Sequence, residues 1–276
     1  MQIDILTILI STLLITSSVI STLHLFKNFG ILIASQTFLI QLAALLTVIL
    51  FNQNVNHSIV VMTVMGVIIL VGLLHILLLR NFGTDILLII SMILNMSIQE
   101  FWLAYPETTG GTGGLLLQGG HEIWPSLVLL ILSLVFCGLY FFRLSKNVQS
   151  FVWKFTKKLK FKSALFGINI DQYYFLGFLL FAIIHSLIGV VSVQYLGYLS
   201  SESFSLAWTL TVLSIVVFSA KDGYLLSFLL AILYIIIKLL LRNSPNVSTT
   251  SANLFEVLFP SLLILIFVTR KVKTNE

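Results

Sequence analysis

The chain has 276 residues, 58% of them hydrophobic and 9% charged, with a mean hydropathy of +1.09. A soluble protein carries roughly a quarter charged residues, so there is too little polar surface here to face water, and lipid is the expected solvent. The net charge of +5 does not signal nucleic-acid binding: seven of the fifteen basic residues lie between Arg143 and Lys162, and outside that stretch acidic residues outnumber basic ones.

A basic excess this local follows the positive-inside pattern of membrane proteins. The single cysteine, Cys137, excludes an intramolecular disulfide or a cysteine-cluster metal site. In its apolar run it reads as a small core hydrophobe.

A bilayer core of about 30 Å needs roughly 20 apolar residues per helix. The first such run is Ile5 to Leu23. Asp4 precedes it, with neither the basic start nor the small-residue cleavage site of a signal peptide, so a retained span is expected. The second runs from Phe29 to Phe51 after Lys27, and the third from Ile59 to Leu79, stopping at Arg80. The fourth, Ile86 to Trp102, is shorter and carries Asn95, Gln99 and Glu100.

Residues 103–124 hold the glycine-rich stretch, Pro106 to Gly114 and then Gln118 to Glu122, a composition that bars a regular helix and predicts a flexible loop. The fifth span starts at Pro125, where a missing N–H costs nothing, and ends at Phe142. A basic loop over 143–170 follows, then spans at about 173–193, 205–220, 224–241 and 254–269. With no short-period repeat and no soluble insertion, residues 1–276 read as one all-α, polytopic membrane domain of about nine transmembrane helices.

The charges also suggest an orientation. A cytoplasmic basic loop puts Lys27, Arg80 and the Arg270-Lys271-Lys273 tail inside, and Glu107, Glu122 and Glu202 outside. The N-terminus is then outside and the C-terminus cytoplasmic. Lys238 and Arg242 run against this pattern, which calls for snorkelling or for a 205–220 segment that stops short of crossing.

Catalytic signatures are missing. There is no Gly-x-x-x-x-Gly-Lys-Ser/Thr phosphate loop and no Gly-x-Ser-x-Gly turn, and His121-Glu122 lacks the second histidine of a helical zinc site. The histidines at 24, 57, 75, 121 and 185 stand singly, whereas metal sites need clustered donors. The chain is therefore not expected to be an enzyme or to need a cofactor, and an intramembrane enzyme finds no assembled site. More informative are polar residues within spans, each of which costs free energy in lipid unless it faces protein or water. These are Gln36, Gln41, Asn95, Glu100 and His185. Interhelical hydrogen bonding, worth about 0.6 kcal/mol each, is the plain explanation; the functional one is that Gln36, Asn95, Glu100 and His185 line a permeation path.

In the basic loop Val148, Phe151, Val152, Phe155 and Leu159 recur at spacings of three and four, giving one apolar helical face, with Lys154, Lys157 and Lys158 largely on the other. Composition alone allows such a helix to lie on anionic lipid.

Two further stretches set the loop in a family context. One is Ser163-Ala-Leu-Phe-Gly-Ile-Asn169, then Tyr174-Phe-Leu-Gly-Phe178 and Tyr195-Leu-Gly-Tyr-Leu-Ser-Ser-Glu-Ser-Phe204; the other is Thr109-Gly-Gly-Thr-Gly-Gly-Leu115. Over about sixty collinear residues the first resembles the permeases of branched-chain amino acid ABC transporters of the LivM type. There a basic helix leads into Ala-x-x-x-Gly-Ile-Asn, an aromatic-rich span, and Tyr-x-Gly-Phe-Ile-Ser-Pro-Glu-Ser-Phe. The second resembles that family's Thr-Gly-Gly-Ser-Asn-Gly-Leu loop.

The resemblance implies a permease subunit of an importer for branched-chain amino acids or a related small solute such as urea. It implies a second permease subunit, two cytoplasmic ATP-binding subunits and an extracytoplasmic solute-binding protein as partners, in a prokaryotic plasma membrane. It also makes the loop an ATPase-coupling helix, with Lys154, Phe155, Lys157, Lys158, Leu159, Ala164 and Gly167 as contact or hinge positions. Departures lie elsewhere. The family's Gly-x-Leu-Ser-Leu-Gly-Gln/His-Ala-Ala-Phe signature meets Gly30-Ile-Leu-Ile-Ala-Ser-Gln36-Thr-Phe here, keeping Gly30, Leu32 and, more loosely, Gln36. Its Gly-Gly-x-Gly-Ser-x-x-Gly-Pro run meets Ser219-Ala-Lys-Asp-Gly223-Tyr, with one glycine left. The alternative is a non-transporting membrane scaffold that retains the docking loop to hold a partner.

Overall fold

The computed structural model describes residues 5–82, 84–118, 122–145, 170–200, 203–220, 223–243 and 249–273. These residues are almost entirely helical. In chain order the helices are α1 (Ile5–Phe29), α2 (Gln36–Asn52), α3 (His57–Phe82), α4 (Thr84–Ala104), the single turn α5 (Pro106–Thr109), α6 (Trp124–Ser145) and α7 (Ile170–Leu196), followed by α8 (Leu206–Ser219), α9 (Tyr224–Asn243) and α10 (Thr249–Lys273). A 3-10 turn covers Gly111–Gly113, and two short strands, β1 (Leu115–Leu116) and β2 (Tyr198–Leu199), pair antiparallel.

Among the described residues five helices (α1, α3, α4, α7 and α9) are long and apolar enough to cross a membrane, while α2, α6, α8 and α10 carry shorter apolar stretches. Helix is what lipid demands, because it satisfies every interior backbone group within one segment. Hydroxyl side chains fit the same scheme by bonding their own helix: Thr47 Oγ1 donates to the Ala43 carbonyl at 2.7 Å, and Thr211 Oγ1 to that of Ala207 at 2.8 Å.

The contacts divide the chain into two compact units, residues 24–205 and residues 1–23 with 206–276. In the first, α7 is the central helix, packed against α2, α3 and α6. Small residues set how closely these helices approach. A Cβ on Gly189 of α7 would lie 2.6 Å from both the Ala43 Cβ and the Ile40 carbonyl oxygen of α2. One on Gly72 of α3 would lie 3.1 Å from the Ala182 Cβ of α7. The outer face of α3 shows Ile59, Met62, Leu70, Leu74 and Leu77, an exposed apolar stripe suited to lipid.

The second expected span is not one helix. α1 continues to Phe29, Gly30 to Ala34 are non-helical, and α2 begins only at Gln36. Gly30 adopts φ 71° and sends its N–H back to the Phe26 carbonyl at 3.0 Å, a left-handed cap that a side chain would strain. α2 has 17 residues, about 26 Å of helix. Hydropathy read through the break because Ile31, Leu32, Ile33 and Ala34 are as apolar as the helices on either side.

In the second unit α8 packs on α9 and α10, and α9 on α10. α8 has 14 residues, about 21 Å, which is less than the roughly 30 Å of a bilayer core. Ser227 Oγ donates to Ser219 Oγ at 2.8 Å and closes the α8–α9 connection. Tyr234 on α9 stacks on Phe255 of α10 at a centroid distance of 5.6 Å, and the ring of Phe259 lies tilted against it at 5.1 Å.

Beside this cluster Lys238 Nζ meets Glu256 Oε1 at 2.6 Å, and the ammonium lies 5.8 Å from the Tyr234 ring centre. The side chains are 28% and 23% exposed, so neither charge sits in bulk water. Glu256→Ala strands the ammonium in this apolar setting and is expected to cost about 1–3 kcal/mol. The exchange Lys238→Glu with Glu256→Lys is expected to recover most of that loss in thermal unfolding in detergent. A single variant that melts like wild type would show that the pair contributes nothing.

Candidate functional site

The break between α1 and α2 is buried, with Ile31, Ile33, Ala34 and Ser35 all at 0% exposure. Non-helical backbone this deep needs partners for the N–H and C=O groups it leaves out of a helix. Two side chains on α4, one turn apart, supply partners for three of them. The Ala34 N–H donates to Ser91 Oγ at 2.9 Å, and the Phe38 N–H to Asn95 Oδ1 at 2.7 Å. The Asn95 amide in turn donates to the Ala34 carbonyl. Asn95 therefore caps α2 from another helix, at the third residue of its first turn.

That cap lies halfway along an apolar stretch. Ile86–Ala104 is the 19-residue membrane-length part of α4, and Asn95 is at its centre. Ser91 and Asn95 share their helix face with Leu87, Ile98 and Trp102, all buried. α2 and α7 run parallel, since Asn52 at the end of α2 bonds the Leu116 carbonyl at 3.1 Å, and Leu116 pairs with Tyr198 just past α7. Gly189 of α7 packs directly against Ile40 and Ala43 of α2. One turn earlier on each helix come Gln36 and His185, which the parallel packing puts at similar depth.

Of the residues singled out in the sequence, Gln36 is the first residue of α2, and Asn95 bonds the backbone on either side of it, at Ala34 and Phe38. His185 is fully buried on α7; its Nδ1 donates to the Phe181 carbonyl at 2.7 Å and its ring lies 4.1 Å from that of Phe181. Gln41 is buried one turn further along α2 and donates to the Phe204 carbonyl at 2.7 Å. Glu100 is exposed on α4 and stands apart from the buried face. Sequence reading passed over Ser35 and Ser91; the Ser91/Asn95 spacing of four and the nearby Gly30 were the available signals. Lys154, Phe155, Lys157, Lys158, Leu159, Ala164 and Gly167 lie outside the described residues.

The glycine-rich stretch, expected as a flexible loop, is folded onto the ends of these helices. Pro106–Thr109 makes one helical turn, and Thr109 Oγ1 donates to the Trp102 carbonyl at 2.6 Å. β1 then pairs with β2, and a Cβ on Gly114 would collide with the Leu199 carbonyl oxygen. The Gln118 N–H donates to Asn52 Oδ1 at 2.8 Å, which ties the loop to α2. Nearby, His57 Nδ1 lies 3.3 Å from Gln194 Nε2 and its Nε2 3.2 Å from Ser126 Oγ, joining α3, α7 and α6.

Among the described residues no three His, Cys, Asp or Glu side chains come together as metal ligands would. The arrangement offers a polar, uncharged, buried helix N-terminus. Compared with protein-family models, curated proteins and solved structures, the chain finds no match.

Proposed function

We propose that the chain is a membrane-embedded permease subunit of an ABC importer, passing branched-chain amino acids or a related small solute such as urea. One observation carries the reading furthest. The two motifs that resemble the family, Thr109–Leu115 and Tyr195–Phe204, are some eighty residues apart in the chain and form one assembly through β1 and β2. The same assembly holds α2 through Asn52 and Gln41. A broken helix with its N-terminus midway along an apolar span also suits a transporter, where such breaks line solute sites.

In this reading nine helices cross a prokaryotic plasma membrane with the N-terminus outside. Lys238, on the unfavoured side of the charge pattern, is offset by Glu256. The basic loop couples the spans to two cytoplasmic ATPase subunits, a second permease chain completes the path, and a solute-binding protein delivers from outside.

The test is capture of candidate ATPase subunits by the solubilised protein, wild type against the triple variant Lys154→Glu, Lys157→Glu, Lys158→Glu. Capture by wild type alone, with membrane insertion intact in both, is the expected result. Equal capture by both would remove the charged docking surface, and no capture by either would remove the importer reading.

A further inference from the structure

The N-terminus of α2 has a spare donor. Ser35 is its N-cap residue, the position whose side chain normally accepts a first-turn N–H. Here the Ser35 side chain makes no capping bond, because Asn95 from α4 has taken the Phe38 N–H. Ser35 is 0% exposed, and among the described residues its Oγ has no hydrogen-bond partner. A buried hydroxyl left in that state is costly, and native proteins rarely keep one without a use.

We propose that the α2 N-terminus is a binding subsite for a carboxylate group of the transported solute. The inference rests on the permease reading and narrows it. A helix N-terminus favours negative charge through its dipole and its outward N–H groups. The Ser35 hydroxyl adds a donor that an anionic oxygen would satisfy. The groups that bind one another here (Ser91, Asn95 and the backbone of Ala34 and Phe38) are all neutral. Neutral donors and a helix end suit a single negative charge.

Ser91 Oγ and Asn95 Oδ1 accept the Ala34 and Phe38 N–H groups in the closed arrangement. A carboxylate is a stronger acceptor for the same donors. Solute therefore enters as α4 draws back, and its departure lets Ser91 and Asn95 return. A neutral solute such as urea gains little from this end of the helix.

The test is thermal stabilisation of the purified full-length protein in nanodiscs by four probes: L-leucine, isovalerate, leucinamide and urea. L-leucine and isovalerate, which carry the carboxylate, are expected to raise the melting temperature, and leucinamide and urea to leave it unchanged. Ser35→Ala is expected to weaken the response to both carboxylates about tenfold, the loss of one charge-assisted hydrogen bond. Ser35→Thr keeps the hydroxyl and should keep the response. Asn95→Asp, which fixes a carboxylate at the same helix end, should abolish it. Equal stabilisation by leucinamide or urea, or an unchanged carboxylate response in Ser35→Ala, would overturn the subsite. ATPase capture is read separately: capture without a carboxylate response rejects the subsite alone, and its absence rejects the importer reading.

Discussion

Asn95→Ala is expected to destabilise the protein by about 3 kcal/mol or more. The substitution removes no large apolar surface, so its effect comes from what it leaves behind. The Phe38 N–H and the Ala34 carbonyl both lose their α4 partner while the segment around them stays buried. Each unsatisfied buried backbone group costs about 1–3 kcal/mol, and more where lipid replaces water. Ser97→Ala on the same helix is the control. Ser97 is exposed and its hydroxyl bonds only the Ile93 carbonyl of its own helix, so a change within about 0.5 kcal/mol is expected. Unfolding in mixed micelles measures both. If Asn95→Ala melted with wild type, the break would be held by something other than α4, and the placement of a site there would lose its basis.

Gly189→Ala should also destabilise, although alanine is the better helix former. Gly to Ala in a helix interior gains about 1 kcal/mol from backbone entropy. At Gly189 that gain is outweighed, because the new methyl would sit 2.6 Å from the Ile40 carbonyl oxygen and 2.9 Å from the Ala44 nitrogen. Those are backbone atoms and cannot rotate aside, so α2 and α7 must separate. Overpacking of this kind costs about 1–3 kcal/mol, and Gly189→Leu is expected to exceed it. Gly138→Ala on α6 provides the contrast: nothing lies within 4 Å of its added Cβ, and it should be neutral or slightly stabilising. The same unfolding assay decides. Equal behaviour of the two alanine variants would mean that α2 and α7 are not held at this distance.

Both sites show which layer of information each feature needs. Among the described residues most of the apolar runs lie in helices, five of them long and apolar enough to cross a membrane, because run length and composition are local properties and a helix satisfies its own backbone in lipid. The departures fall where a local property misleads. Residues 30–34 are apolar and read as span, yet they are not helical. The glycine-rich stretch reads as loose, yet Thr109, Gly114 and Gln118 each engage a defined partner. Asn95 was visible as a polar residue in lipid, but its bond to the start of α2 was not, since nothing in a hydropathy pattern relates residue 38 to residue 95.

By itself the sequence determined a mostly helical chain with membrane-length apolar runs, the approximate positions of most of those runs, and the concentration of positive charge between Arg143 and Lys162. Tertiary structure alone decided that α1 and α2 are separate helices, that Ser91 and Asn95 hold the gap, and that the Ser35 hydroxyl finds no partner among the described residues. The physical reason is the range of the forces involved. Burial in lipid acts on each segment independently. A break in a buried helix is stable only when donors and acceptors more than fifty residues away arrive at the right depth.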